Sequence, residues 1–366
     1  MAGSSIGTIF RITTWGETHG KGVGVVIDGV PAGLSLCEED IQRYLDRRKP
    51  GQSQYVSPRK ESDTVEILSG VFEGRTTGAP VSLIVMNQNQ RSKDYSKIMN
   101  CYRPGHADYT FDAKYGFRDY RGGGRSSARE TIARVAAGAV AAKILAQMGI
   151  EITTYAKEIG GIAIQRDRFD KDEIMKNPFY MPDKEAAQEV AVYAKSMIES
   201  RNSIGGIVEC RIQGVPAGIG DPVFEKISAN LGKAVLSIGA VKGFEIGDGF
   251  SVAGSNGAEN NDNFYVDEEG KIAKKTNHSG GTLGGMTDGS EILFRAAFKP
   301  TPSIAQVQDT VNTSMEEVEI EITGRHDPII VPRAVVVVEA MAAITILDAL
   351  LLNMTARLDR ICEFYK

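Results

Sequence analysis

The stretch that most restricts the fold of this chain is AVVVVEAMAAITILDALLL at 334–352. It is apolar almost all the way round a helix and nearly long enough to cross a bilayer. Glu339 and Asp348 lie inside it, and a lone span carrying two uncompensated acids makes a poor membrane segment. The expectation is a buried core helix, for which the rest of the chain has to supply covering layers.

The chain can do this. It has 366 residues, 42% hydrophobic and 24% charged, which is soluble globular composition and excludes wholesale disorder and a polytopic membrane protein. β-Branched content and alternation predict strands near 6–14, 22–29, 64–71, 80–87, 206–213, 290–297 and 317–323. Helices are expected at 38–48, 127–148, 184–200, 222–238 and 333–352. Capping boxes are expected from Ser35 with Glu38 and from Ser127 with Glu130, and a stop at Gly149. The pattern reads as α+β or layered α/β. Two long Ala/Val-rich helices, 127–148 and 333–352, each follow an Arg-containing, turn-rich stretch, which hints at two similar halves. No repeat is evident at the residue level, and no Pro/Ser-rich linker divides the chain. Segments 88–126 and 248–287 are polar and Gly-rich and are expected to be long loops.

Net charge is −5, which disfavours bulk binding of nucleic acid or an anionic membrane. The single RGGGR at 121–125 runs into a helix, unlike the repeated, disordered RGG tracts that bind RNA. Cys37, Cys101, Cys210 and Cys362 are widely spaced, so reduced cytosolic thiols are expected rather than disulfides or a zinc site. His19, His106, His278 and His326 are not at metal-ligand spacing, so no protein-bound metal is expected. Met1–Trp15 lacks the charged and apolar regions of a signal peptide.

Six constellations could carry chemistry. GETHG at 16–20 sets His19 between glycines, either as a proton shuttle or as a turn histidine satisfied by backbone. Arg47, Arg48 and Lys49 end a helix, where cations either bind an anion or complement the dipole. Residues 103–134 hold His106 and Arg103, Lys114, Arg118, Arg121, Arg125, Arg129 and Arg134 against Asp108, Asp112, Asp119 and Glu130. Gly122–Gly124, the hydroxyls of Ser126 and Ser127 and a helix start read as a phosphate or carboxylate site, with Arg125 and Arg129 one turn apart and able to face one anion, or as an exposed capped helix with dispersed arginines. HSGGTLGGMTDG at 278–289 offers a wall without side chains for a planar ligand, or a mobile loop. Lys299–Ser303 is a rigid turn with a cation and hydroxyls. Arg325, His326, Asp327 and Pro328 precede the apolar helix, where an Asp beside an Arg could accept a proton, or simply shape the helix entry.

Together these motifs resemble one family. GETHGKGVGVVIDGVP at 16–31, GGRSSARETIARVAAGAV at 123–140 and RHDPIIVPRAVVVVEAM at 325–341 are similar, in order, to the three signature segments of the chorismate synthase family. RRKPGQS at 47–53, RPGHADYT at 103–110, SGGTLGGMTDG at 279–289 and KPTPS at 299–303 also look like it, so the resemblance covers nearly the whole chain. It implies anti-1,4-elimination of phosphate from 5-enolpyruvylshikimate 3-phosphate to give chorismate in aromatic amino-acid biosynthesis, by a lyase that needs reduced FMN without net redox change. It implies a single α+β domain over 1–366, a layered β-α-β sandwich with central helices between two antiparallel-rich sheets, assembled as a cytoplasmic homotetramer.

By the same resemblance the catalytic residues are His19, His106 and Asp327. His19 would protonate the leaving phosphate, His106 would sit near the flavin ring, and Asp327 would assist proton removal. Arg48, Arg129, Arg134 and Arg325 would clamp the substrate anions. FMN would contact Arg125, Ser126, Ser127, Gly239, Ala240, Gly284, Lys299, Pro300, Thr301, Pro302, Ser303 and Arg325. The reductant would be NADPH, with Arg48 at its NADP site, or an external flavin reductase; the lack of a dinucleotide fingerprint favours the outside source. Two positions depart from the family pattern: Thr18 stands where Ser is usual, and Gln54 where many members have Arg.

Overall fold

A computed structural model describes residues 3–56, 61–88, 99–322 and 327–366. The helices among them are α1 (Glu38–Arg48), α2 (Asp108–Tyr115), α3 (Thr131–Gln147), α4 (Lys184–Glu199), α5 (Ile227–Leu236), α6 (Gly257–Asn260), α7 (Val331–Asn353) and α8 (Leu358–Phe364). The apolar stretch forms α7, a buried core helix. Its acids are both partnered. Glu339 takes a bidentate pair from Arg47 of α1, at 3.1 and 2.6 Å. Asp348 accepts the backbone N–H groups of Thr8, Ile9 and Phe10 at 2.8–2.9 Å.

The fold mixes helices with antiparallel sheets. One five-stranded sheet contains β1 (Ser5–Ile6), β2 (Arg11–Gly16), β3 (Gly22–Asp28), β4 (Val65–Ser69) and β7 (Val81–Met86), in the order β1-β2-β3-β7-β4. A ribbon of β5 (Val71–Phe72) and β6 (Arg75–Thr76) lies between β4 and β7 in sequence. The second five-stranded sheet contains β8 (Glu151–Ile159), β9 (Ile162–Ala163), β10 (Gly206–Gln213), β11 (Val241–Ile246) and β16 (Ile292–Phe298), in the order β11-β16-β10-β8-β9. Further ribbons are β12 (Phe264–Val266) with β13 (Ile272–Lys274), β14 (Thr282–Leu283) with β15 (Met286–Thr287), and β17 (Val307–Val311) with β18 (Glu317–Glu321). Alternation along β16 buries Ile292, Phe294, Ala296 and Phe298 in the core, as period two requires. Helix α3 packs on β2, β3 and β7, α7 packs on β8 and β10, and the two helices pack on each other.

Where α3 and α7 meet, a Cβ built on Gly138 would lie 2.3 Å from Ala340 Cβ. Only a residue without a side chain allows this approach. The neighbouring Ala and Val positions bury fully on both helices, so the contact is dry and dense.

A repeat overlooked in the sequence becomes visible through its hydrogen bonds. GVPAGL at 29–34 recurs as GVPAGI at 214–219, each directly after a central strand, β3 or β10. Thr76 Oγ1 donates to Pro31 O at 2.6 Å and accepts from Leu34 N at 3.0 Å. Thr287 Oγ1 donates to Pro216 O at 2.6 Å and accepts from Ile219 N at 3.0 Å. The sheet orders also run in parallel, with β2, β3, β7 and β4 answering to β8, β10, β16 and β11. Insertions of different length separate the matched elements, which hides the period.

Other sequence expectations need correction. Helix α3 begins at Thr131 rather than 127, because Ser127 is extended and caps the N–H of Arg129, opening a short 3₁₀ turn. Glu130 does not complete a capping box; its carboxylate receives Thr14 and Arg134. At α1 the cap is Cys37, whose N–H meets Asp40, while Glu38 accepts from Ile67 N. The strand expected at 6–14 is broken by the turn that Asp348 holds. Strands β8 and β11 were not anticipated, since EITTYAKEI and VKGFEI carry residues that also suit helices. The expected loop at 248–287 is organised around Asp262, which receives Ser279, Thr276, His278 N and the buried Lys274. Burial opposes ionisation there, but these donors hold the Asp262 carboxyl well below the usual carboxylate range.

Gly138→Ala should destabilise the protein by about 1–3 kcal/mol through overpacking, although alanine favours helix by about 1 kcal/mol. Urea unfolding measures this; an unchanged or raised midpoint would mean that α3 and α7 part without cost.

Candidate active site

Helix α1 delivers its three terminal cations to different places. Lys49 pairs with Asp46 near the surface, Arg47 goes to Glu339, and Arg48 is only 2% exposed. The carbonyl of Arg48 accepts from Arg333 Nε at 2.9 Å, and Arg333 pairs with Asp327. Asp63, also 2% exposed, stands between two guanidiniums. Its Oδ1 accepts from Arg129 Nη1 at 3.0 Å, and its Oδ2 is 3.7 Å from Arg48 Nη1. The Asp63 backbone is left-handed at φ +47°, which Asp tolerates better than most residues.

Burial presses the Arg48 pKa down, as do the Arg333 and Arg129 guanidiniums, against Asp63 and Asp327. Among the described residues, no hydrogen-bond partner meets Arg48 Nε, Arg48 Nη1 or Arg129 Nη2, all buried. Buried donors of this kind are costly unless something accepts from them. Glu61 Oε2 stands 4.0 Å from Arg129 Nη2, too far to accept a hydrogen bond from it, so an added anion could take up these donors.

His19 sits in the turn between β2 and β3, where Gly20 N donates to Glu17 O at 3.1 Å. A Cβ on Gly122 (φ +66°) would fall 2.7 Å from the His19 ring and 3.1 Å from the Thr18 methyl. The glycine run therefore packs flat on this turn, and the extra methyl of Thr18 rests against it. Asn87, directly after β7, joins this turn to the arginines. Its Nδ2 donates to Glu17 O at 2.9 Å and to Gly20 O at 2.8 Å, and its Oδ1 accepts from Arg129 Nε. Asp119 is held low chiefly by Arg121, with His19 contributing.

A second group forms around the 299–303 loop. His106 Nε2 is 2.8 Å from Ser303 Oγ, and its Nδ1 is 3.0 Å from Pro104 O. Lys299 Nζ donates to Gly105 O at 2.8 Å, and Pro302 packs where a Gly105 side chain would be. Burial, then the nearby Lys242, lowers the Lys299 pKa. Lys299 N donates to Ala240 O at 2.9 Å, Ala240 is left-handed at φ +72°, and Gly239 opens onto free space. The Thr301 hydroxyl is buried and has no hydrogen-bond partner among the described residues. Ser203 Oγ donates to Thr301 O at 2.6 Å, while Ile204 N donates to Pro328 O at 2.9 Å. Residues 203–204 thus link the His106 group to the segment carrying Asp327.

The remaining expected residues lie elsewhere. Arg125 turns away from Arg129 and bonds Thr14 and Gly16 O of β2, because residues 124–130 are 3₁₀ and extended rather than α-helical. The two therefore do not face one anion. Ser126 bonds Gly123 O. Arg134 is held by Glu130 and Ser237, two residues before Gly239, and is not part of the Arg48–Arg129 cluster. Gly284 is at the exposed tip of the β14–β15 ribbon. Arg325 and His326 lie outside the described residues, and Gln54 is exposed. A cavity of about 280 Å³ borders Arg333, with Gln52, Ser53, Tyr180 and Pro332 in its lining, but none of the residues expected for the site lines it. Asp63, Asn87 and Arg333 were not singled out from sequence. Asp63 and Asn87 flank strands without any motif, and Arg333 sat unremarked inside a signature segment.

Replacing Asp63 by Ala leaves buried guanidiniums uncompensated, so stability should fall by about 3 kcal/mol in urea unfolding at pH 7. A loss under about 1 kcal/mol would show that the arginines need no common counter-ion.

Comparison with known proteins gives one answer. The family model described as chorismate synthase matches residues 10–351. A chorismate synthase of Agathobacter rectalis is 68% identical over 366 residues, covering all of both chains. One of Lachnospira eligens is 66% identical with the same full coverage. One of Methanosarcina mazei is 52% identical over 96% of this chain and 97% of its own. A crystal structure of a chorismate synthase superposes with a TM-score of 0.77 at 32% identity, covering 98% of this chain and 97% of the other.

Proposed function

The chain belongs to the chorismate synthase family, lyases of the shikimate pathway, and from that premise we propose how its own residues release phosphate from 5-enolpyruvylshikimate 3-phosphate to give chorismate. The observation that carries the reading is the set of guanidinium N–H groups on Arg48 and Arg129 that lack a hydrogen-bond acceptor among the described residues, buried near the turn of His19 in an acidic chain. Arg48 and Arg129 bind the anionic groups of the substrate, with Arg325 as a third clamp and Arg134 closing the side towards Ser237. His19 gives a proton to the phosphate oxygen as the C3–O bond breaks. Asp327, beside Arg333, takes part in removing the hydrogen lost from C6.

FMN fits the second group. Lys299 offers a cation, Thr301 an unspent buried hydroxyl, and Gly239–Ala240 a wall without bulk. Pro300, Pro302 and Ser303 shape the same loop, and His106 is held by Ser303 to face it. Ser126, Ser127, Gly284 and Arg325 complete the proposed contacts, with Arg125 bracing the serine turn from β2. Reduced FMN, when bound, supplies transient electron density that helps phosphate leave and takes it back, without net redox change. Closing loops would exclude water and oxygen from this site.

The wider reading is a single domain of two similar halves, stacked as sheet, helices and sheet. It works in the cytoplasm as a homotetramer, without membrane or nucleic acid. The recurring GVPAG turns support the two halves. Exposed Phe264, Val266 and Ile272 on one ribbon supply apolar area for subunit contacts. Reducing equivalents come from an external flavin reductase rather than from NADPH bound near Arg48.

The test is an anaerobic assay with photoreduced FMN and substrate, repeated aerobically with FMN and NADPH. Turnover is expected only in the first. His19→Ala and His106→Ala should each lower it by roughly 100-fold or more. Near-normal turnover in both would remove their assigned roles.

A further inference from the structure

We infer that Asn87 is a positioning residue that fixes the anion-binding arginine relative to the proton-donating turn. The inference rests on the reading of Arg129 as a substrate clamp and His19 as the acid. A carboxamide carries an acceptor and two donors on one rigid plane. Here the acceptor takes Arg129 Nε, and the two donors go to Glu17 O and Gly20 O. The partners determine the orientation of the amide, since a guanidinium can only donate and a carbonyl can only accept. The Asn87 backbone N–H donates to Lys21 O at 3.0 Å, so the residue itself is anchored to the strand that leaves the turn.

The consequence is geometric. Asn87 holds Arg129 at Nε and Asp63 holds it at Nη1, which leaves Nη2 as the buried nitrogen without a hydrogen-bond acceptor among the described residues, the Glu61 carboxylate standing 4.0 Å away. An anion bound at that nitrogen is separated from the Glu17–Gly20 turn by one side chain with no soft torsion between its two sets of bonds. Placement of phosphate against the His19 imidazole then depends on this single amide. A displacement near 1 Å between reacting groups costs about 100-fold in rate.

Asn87→Asp separates the two functions of the amide. A carboxylate still accepts from Arg129, but it cannot donate and sets negative oxygens against the carbonyls of Glu17 and Gly20. Asn87→Ala loses both contacts. In the anaerobic assay, N87D should keep KM for 5-enolpyruvylshikimate 3-phosphate within about threefold of the wild type while kcat falls about 10- to 100-fold. N87A should lower kcat and raise KM together. A second readout needs no turnover: inorganic phosphate should shift the His19 ring nitrogens in 15N NMR of the wild-type protein, and shift them far less in N87D at equal phosphate occupancy. A merely structural Asn87 would make the two variants alike in KM, kcat and urea midpoint. Wild-type kcat in N87D, or an unchanged His19 response to phosphate, overturns the inference. If the wild-type chain fails to turn over substrate, the functional reading falls, and the phosphate response still decides the role of Asn87.

Discussion

The close approach of α3 and α7 at Gly138 and Ala340 is the constraint on which the rest of the molecule depends. Each helix covers its own sheet and each is preceded by residues of the candidate site. Arg129 lies just before α3, and Asp327 and Arg333 lie at the start of α7. Both helix starts converge on Arg48, whose carbonyl and guanidinium meet Arg333 and, through Asp63, Arg129. A side chain at the crossing would part the helices, and the error would be carried to their N-terminal ends. Core packing and site geometry are therefore one problem in this fold.

The site itself is an electrostatic compromise. Three guanidiniums, from Arg48, Arg129 and Arg333, share a partly buried region with Asp63, Asp327 and, 4.0 Å from Arg129 Nη2, Glu61. Burial disfavours each charge, and the cations disfavour each other. The carboxylates offset this incompletely, which is why the Arg48 pKa is pressed down. An enzyme that must bind a dianionic phosphate and release it cannot satisfy its arginines internally. On the proposed reading, residual mismatch in the resting protein is the source of affinity for the ligand, and full pairing would abolish it.

Much of this was legible in the sequence, for identifiable reasons. The apolar helix, the bounds of α1 and β10, and the alternating strands of the sheets rest on periodicity, which the structure follows closely. The glycine run at 122–124 and the 299–303 turn are signalled by residue types with restricted backbone behaviour. What escaped were residues whose role is set by distant partners. Asp63 acts between positions 48 and 129, Asn87 between 17–20 and 129, and neither spacing has any local signature. The same limit explains Arg125. Helical spacing put it beside Arg129, but Thr14 and Gly16 supply acceptors that no local pattern reveals.

The matching strand orders and turns explain why the two groups of candidate site residues sit where they do. Strands β7 and β16 occupy matching places, and the residue after each is Asn87 or Lys299. Both reach sideways to a backbone carbonyl of a neighbouring loop, Asn87 to the His19 turn and Lys299 to Gly105 beside His106. The same architectural position in each half thus serves a different histidine, His19 or His106, both of which precede α3 in sequence. The chemistry has diverged, however. An amide after β7 can satisfy an arginine and a turn at once, whereas an ammonium after β16 leaves positive charge two residues from the Thr301 hydroxyl, which has no hydrogen-bond partner among the described residues. On the proposed reading, one scaffold used twice yields a place for a leaving phosphate and another for the flavin cofactor.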